Sequence, residues 1–277
     1  MGIVWHKYHA LHNDFLVIEP SKGGSRRRYG SIARSICDRH TGVGADGILV
    51  VRKVKKEIDV NIYNADGSWA EMSGNGARIA AFHTLRQGNR TLTSLTMGGR
   101  PVSVKIKASA RLSARVLAEI ATPIFDTKQI PVRTKKRAIV QAPVRIGGLS
   151  LPMTVLSVGN PHAVLFVDSF DFDWQAVGRL IETAPVFPCR TNVEFVRVVS
   201  PSRLEVRLWE RGVGVTGSSG TGAAAALAAA VVTGRARRTA TVASTAGKLK
   251  ATWKADTNVI SIEGPVNFVG SGSFELS

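Results

Sequence analysis

The 277 residues are 44% hydrophobic and carry 37 Lys and Arg against 20 Asp and Glu, a formal net charge of +17. That length allows two domains, each able to bury its own core. Two cysteines exclude a disulfide scaffold or a Cys-rich metal site, and the longest strongly apolar run, residues 222–232, is too short to span a bilayer.

The first nine residues lack the charged start and apolar centre of a secretory signal, so a soluble cytoplasmic protein is expected. The positive charge is scattered over clusters at 26–28, 52–56, 133–137 and 235–238, none interleaved with aromatic residues. Such a distribution predicts a solvated surface that steers anions, and argues against a nucleic-acid partner.

In chain order, alternating β-branched runs bounded by turn residues predict strands over 15–18, 47–52 and 59–63. An amphipathic helix is expected over 31–40. A second, over 77–86, ends before Gly88, a candidate C-cap. Strands over 102–106 and 115–120 follow, and the stretch from Pro123 to Pro131 marks the best boundary. Beyond it come strands over 151–158 and 163–168, a helix over 172–182, and strands over 192–199 and 204–209. The segment 223–232 is apolar on every face, so it predicts a buried central helix ending at Gly234. Strands over 239–243, 248–253 and 258–263 complete the series. The expected fold class is α+β. Two similar domains, 1–122 and 123–277, would each wrap strands around one apolar helix, and the last strand is free to pack back on the first domain.

One template recurs in the two halves. Ser73-Gly74-Asn75-Gly76-Ala77 and Ser219-Gly220-Thr221-Gly222-Ala223 each run into an apolar helical segment. Nine residues before each serine stands a polar side chain, Asn64 or Glu210. Asn13 lies 60 residues before Ser73, and Asn160 lies 59 before Ser219. A helix N-terminus has N–H groups without intrahelical partners and a partial positive charge, and glycines let an anion approach the backbone. Each loop alone reads as an ordinary serine N-cap; the repetition with matched spacing points to two anion-binding helix ends. Neither ends in the Gly-Lys-Ser/Thr of a nucleotide phosphate loop.

Further motifs extend along the chain: His9-Ala-Leu-His-Asn-Asp-Phe15, Asp38-Arg-His-Thr-Gly-Val-Gly-Ala-Asp-Gly47, Tyr63-Asn-Ala-Asp-Gly-Ser68 and Glu71-Met-Ser-Gly-Asn-Gly-Ala-Arg78. Gly159-Asn-Pro-His-Ala163, Thr191-Asn-Val-Glu-Phe195, Trp209-Glu-Arg-Gly212 and Gly264-Pro265 follow. With the twin loops, these make the chain resemble the diaminopimelate epimerase family over nearly its whole length. The resemblance implies two similar domains, each a mixed barrel around a central helix, with the active site in the cleft between them. It also implies an epimerase that inverts an amino-acid α-carbon without pyridoxal phosphate or any other cofactor or metal. The ligand would be a small amino acid, with diaminopimelate converted from the L,L to the meso form in lysine and peptidoglycan precursor synthesis. No membrane partner is implied, and a homodimer is among the assemblies it allows.

By the same resemblance, the substrate α-carboxylate would sit at the N–H groups of Gly74, Asn75, Gly220 and Thr221. Asn13, Asn64, Asn160, Asn192, Glu210 and Arg211 would recognise the two amino-acid ends. His162 and Glu210 would assist proton transfer beside Ser73 and Ser219. The family's two catalytic cysteines fall where this chain has those serines, and Ile79, Ala224 and Val215 also depart from its usual residues. A serine hydroxyl ionises several units above a thiol, so it is a far weaker base. Three readings follow: an epimerase with slow or rerouted proton transfer, a different isomerase or lyase on the same scaffold, or an inactive amino-acid-binding homologue.

Overall fold

The computed structural model describes residues 2–20, 26–54 and 57–276. The basic cluster at 52–56 lies partly outside the described residues. The chain divides into two compact units, Met1–Ala118 with Glu263–Ser277, and Glu119–Ile262.

The first unit opens with β1 (Ile3–Ala10) and β2 (Asn13–Ile18), an antiparallel hairpin. Its two-residue turn, Leu11-His12, has positive φ at both positions (53° and 67°). That backbone matches the twist of a tight hairpin but normally selects Asn-Gly. The strain is therefore placed immediately before Asn13. Next come α1 (Arg26–Ile36), β3 (Gly47–Val54), β4 (Glu57–Asn64), the short β5 (Trp69–Ala70) and α2 (Gly74–Arg86). β6 (Ser94–Met97), β7 (Arg100–Ser109) and β8 (Ser113–Ala121) follow.

Helix α1 starts before the expected span 31–40 and stops at Ile36, short of its end. The Asp38 carboxylate accepts from the N–H groups of His40 and Thr41 and from the Thr41 hydroxyl, which turns the chain there. Strand β3 pairs parallel with β2 and antiparallel with β4, which pairs parallel with β6. β6, β7 and β8 continue antiparallel.

The second unit has a short 3-10 turn (Thr127–Gln129), then β9 (Ile139–Ile146), β10 (Leu149–Ser157) and β11 (Pro161–Phe166). Helix α3 (Trp174–Glu182) is capped by Asp173, whose side chain accepts from the Ala176 N–H. It therefore begins two residues after the expected Phe172. β12 (Asn192–Ser200), β13 (Arg203–Glu210), β14 (Gly214–Thr216), α4 (Gly220–Val232), β15 (Thr239–Ser244), β16 (Gly247–Trp253) and β17 (Ile260–Phe274) complete the chain. β17 far outruns the expected 258–263. Its glycines and Pro265 read as turn residues in sequence, yet Val266 and Phe268 keep an inward alternation. The length closes the first unit: β17 pairs with β1 on one side and β8 on the other. The ring β1-β2-β3-β4-β6-β7-β8-β17 is thus a closed mixed barrel.

The two units repeat one topology. β10-β11 and β1-β2 are antiparallel hairpins, and β11-β12 and β2-β3 are parallel pairs bridged by α3 and α1. β13 pairs antiparallel with β12 and β14 and parallel with β15, as β4 does with β3, β5 and β6. Each 13-residue helix, α2 or α4, is ringed by its own unit's strands and has eleven buried residues. Both end as expected, with Gly88 and Gly234 at positive φ (92° and 70°) donating to the carbonyls of Leu85 and Val231. No described helix is long and apolar enough to cross a membrane.

Helix α2 buries His83 beside Tyr8, with the Tyr8 hydroxyl 3.0 Å from Nδ1. Desolvation first, then His6 and Arg86, lowers its pKa to about 4. The unfolded chain, with a histidine pKa near 6.5, binds the proton more readily, so stability present above about pH 6.5 declines as pH falls towards 4. We expect the wild type to lose thermal stability between pH 7 and pH 4.5. His83→Gln should flatten that pH slope in a fluorescence-monitored melt; an unchanged slope would assign acid sensitivity to other groups.

Candidate active site

In both units the loop entering the central helix is built alike. Ser73 has extended backbone (φ −142°, ψ 118°) and its Oγ accepts from the Gly76 N–H at 3.0 Å. Ser219 has nearly the same backbone (φ −135°, ψ 129°) and accepts from the Gly222 N–H at 3.2 Å. The glycines at these third helical positions leave little room for a side chain. A Cβ on Gly76 would come within 3.1 Å of Leu49, and one on Gly222 within 3.0 Å of Leu208 and 3.2 Å of a Glu194 carboxylate oxygen. Gly74, Asn75, Gly220 and Thr221 occupy the first two helical positions, whose N–H groups point out of the helix.

The surroundings of the two loops differ in charge. In the second unit Glu210 closes β13, and its carboxylate accepts from the Thr216 hydroxyl at 2.9 Å and lies close enough to the Ser219 hydroxyl for it to favour the charged form. Desolvation raises its pKa, the Glu194 charge adds to the rise, and the two hydroxyls and His162 oppose it. On β11, fully buried His162 places Nδ1 2.7 Å from Glu194 Oε1 and Nε2 2.8 Å from Asn160 Oδ1. Burial also raises the Glu194 pKa, opposed by His162, and its Oε2 has no hydrogen-bond partner. Two carboxyls pushed towards neutral pH beside an imidazole form a proton-handling cluster.

Asn192, directly opposite His162 in the parallel register, ties this cluster to its neighbours. Its amide donates to the Pro161 carbonyl at 2.9 Å and accepts from the Arg211 N–H at 3.0 Å. The Arg211 side chain is exposed, with Nη1 3.4 Å from the Cys189 carbonyl. Its turn is clamped by a residue that sequence reasoning missed. Buried Glu182, the last residue of α3, accepts from Trp209 Nε1 and from the Gly212 N–H, each at 2.7 Å. Glu194 was likewise missed as an individual residue. Nothing in the local sequence marks either one, because each acts through partners far along the chain.

In the first unit a neutral amide, Asn64, stands where the second has Glu210, while Phe15 and Leu49 hold the register positions of His162 and Glu194. Asn64 closes β4, as Glu210 closes β13, and donates to Ser68 Oγ at 2.9 Å. Opposite it, Gly47 admits no side chain, since a Cβ would sit 2.5 Å from the Tyr63 carbonyl. Asn13 accepts from Asn75 Nδ2 at 2.9 Å and donates to Asp46 Oδ2 at 2.8 Å. Asp14 joins this network through Arg39 (2.8 Å) and Lys7 (2.9 Å). Burial would raise its pKa, but those two cations outweigh it and hold the carboxyl below its usual value. Thus Asn13 and Asn75 share one network of the first unit, Asn64 keeps to its own turn, and Asn160, His162, Glu210 and Ser219 belong to the second. Among the described residues, no group of three or more His, Cys, Asp or Glu side chains is placed to hold a metal ion.

The diaminopimelate epimerase family matches residues 5–116 and 154–269, one segment for each copy of the repeated topology. The chain belongs to the diaminopimelate epimerase family. That membership makes it an amino-acid epimerase, an isomerase. It is 38% identical over 275 residues to the diaminopimelate epimerase of Caldanaerobacter subterraneus subsp. tengcongensis, covering 98% of each chain. It is also 38% identical over 289 residues to that of Synechococcus elongatus, covering all of both. Among solved structures, a hydroxyproline epimerase from Agrobacterium vitis superimposes with a TM-score of 0.71 at 14% identity, covering 99% of this chain and 91% of that one. That likeness bears on the fold, two similar domains with a mixed barrel around a central helix.

The Glu182 clamp yields a measurable expectation. Glu182→Ala would strand the Trp209 and Gly212 donors, so urea denaturation should report a loss of about 3 kcal/mol. A loss below about 1 kcal/mol would mean that water satisfies both donors.

Proposed function

We propose that the chain epimerises the α-carbon of diaminopimelate, with the serine-headed helix ends as carboxylate-binding elements and Ser219-Glu210 handling one of the two protons. The observation that carries this is the Glu210 carboxyl, held above its usual pKa by burial and placed beside Ser219 at the N-terminus of a buried helix. Support comes also from the two relatives bearing that name. Inversion requires that a proton leave one face of the α-carbon and another arrive at the opposite face. The electron pair of the broken C–H bond spreads into the carboxylate, where helix N–H groups stabilise the developing charge.

A serine hydroxyl alone is too weak a base for this step, and the family resemblance expects a thiol at both positions. Glu210 offers a remedy at one of them. As Ser219 Oγ takes the α-proton, its own hydroxyl proton passes to Glu210, so no free alkoxide accumulates. When the reaction runs in the other direction the same relay delivers a proton to this face, and the opposite face exchanges its proton with Ser73. Thr216 holds the Glu210 carboxylate in place during the transfer. Ser73 has no such carboxylate in its own unit among the described residues, so the Ser73 half of the exchange should be the slower. Asn13, Asn64, Asn160, Asn192 and Arg211 are proposed to bind the amino and carboxylate groups of the ligand. Arg211, with its exposed fork of donors, suits the distal carboxylate.

Incubation with L,L-diaminopimelate in D₂O, followed by NMR, tests the activity through α-deuterium incorporation and appearance of the meso isomer. We expect slow but measurable exchange, and loss of about 100-fold or more in Glu210→Gln. No exchange over many hours, together with a normal thermal shift on adding the amino acid, would favour a binding protein instead. Ser73→Cys/Ser219→Cys should raise the rate by on the order of 100-fold or more, because a thiolate is accessible near neutral pH. A flat response would mean that the ligand sits elsewhere.

A further inference from the structure

Arg78 is the largest fully buried side chain among the described residues and has no solvent exposure. It lies at the fifth position of α2, and helical side chains lean towards the N-terminus, so its guanidinium reaches back to the start of the helix. There Nη2 donates to Asn75 Oδ1 at 2.6 Å. Nε and Nη1 are buried with no hydrogen-bond partner, and no carboxylate among the described residues forms an ion pair with this group. Burial alone lowers its pKa, to about 10, which leaves it charged at neutral pH.

A buried cation without a counter-ion is strongly unfavourable, and native structures rarely retain one. Its position suggests what balances it. Through Asn75 the guanidinium touches the second residue of a helix whose first N–H groups are also unsatisfied. Asn75 in turn donates to Asn13, whose amide is anchored on Asp46. The charge therefore sits directly behind the loop and is oriented by it. The corresponding position of α4 is Ala224, so the second loop has no such cation.

We propose that Arg78 is the preinstalled counter-charge of the Ser73-Gly74-Asn75 loop, a positioning residue that makes this helix end bind an amino-acid carboxylate and holds Asn75 and Asn13 in register for it. The inference rests on the reading that the α2 loop receives the carboxylate. Ligand binding supplies the missing negative charge, so the energy stored in the unpaired cation becomes affinity for an anion.

Titration calorimetry with L,L-diaminopimelate tests this on the full chain. Arg78→Gln should weaken binding by about 10- to 100-fold while the variant still melts cooperatively. Arg78→Lys supplies a readout that a structural role would not move. A buried lysine titrates well below its usual value, and a bound carboxylate would restore its charge. That variant should therefore take up extra protons on binding near about pH 8.5, seen by comparing buffers of different ionisation enthalpy, whereas the wild type should not. Equal proton uptake in Arg78→Lys and wild type, or Arg78→Gln binding within about 2-fold of wild type, would overturn the proposal. If the wild type itself gives neither heat nor thermal shift, the carboxylate reading of the loop falls, and this inference with it.

Discussion

Each unit depends on a helix that has no face for water. α2 and α4 are ringed by strands, so their first N–H groups must be satisfied by side chains, backbone or a ligand. Ser73 and Ser219 satisfy one group each, at the third helical position. The first two positions stay open to whatever enters the loop. Burial concentrates the helix dipole there, because the low dielectric that makes an unpaired group costly also strengthens its attraction for an anion. The electrostatic preference of the helix end for an anion is thus a consequence of closing a barrel around a helix, and duplication provides it twice.

The two copies have diverged in how they surround that end. The second unit gathers Glu210, Glu194 and His162 around Ser219, with the carboxyl pKa values raised by desolvation. The first unit offers amides and, behind them, a buried arginine. One loop is thus surrounded by titratable groups and the other by amides and a buried cation. Serine fits both as a cap; only beside Glu210 does its hydroxyl have a partner able to accept its proton.

Much of this was readable before any coordinates. The spacing between Asn13 and Ser73 and between Asn160 and Ser219 announced a duplication, and apolar periodicity placed α2 and α4 to within a few residues. Other elements were hidden for physical reasons. The β1-β2 hairpin turns through Leu11-His12, a pair with no hairpin signature, because tertiary packing holds both in left-handed backbone. β17 reads as turn-rich, and only its pairing with β1 and β8 makes it a strand. Glu182 and Arg78 look like an ordinary helical acid and base until burial removes water from them.

The sequence by itself therefore determined the family, the repeat and the identity of the two capped loops, since these depend on residue types at short, fixed spacing. Only the tertiary structure decided which side chains surround each loop and how they are charged. Burial and pairing between residues as distant as His162 and Glu194 set those pKa values, and bonds such as that from Trp209 to Glu182 set the orientations. No local pattern carries that information, because desolvation is a property of the fold and not of any one segment.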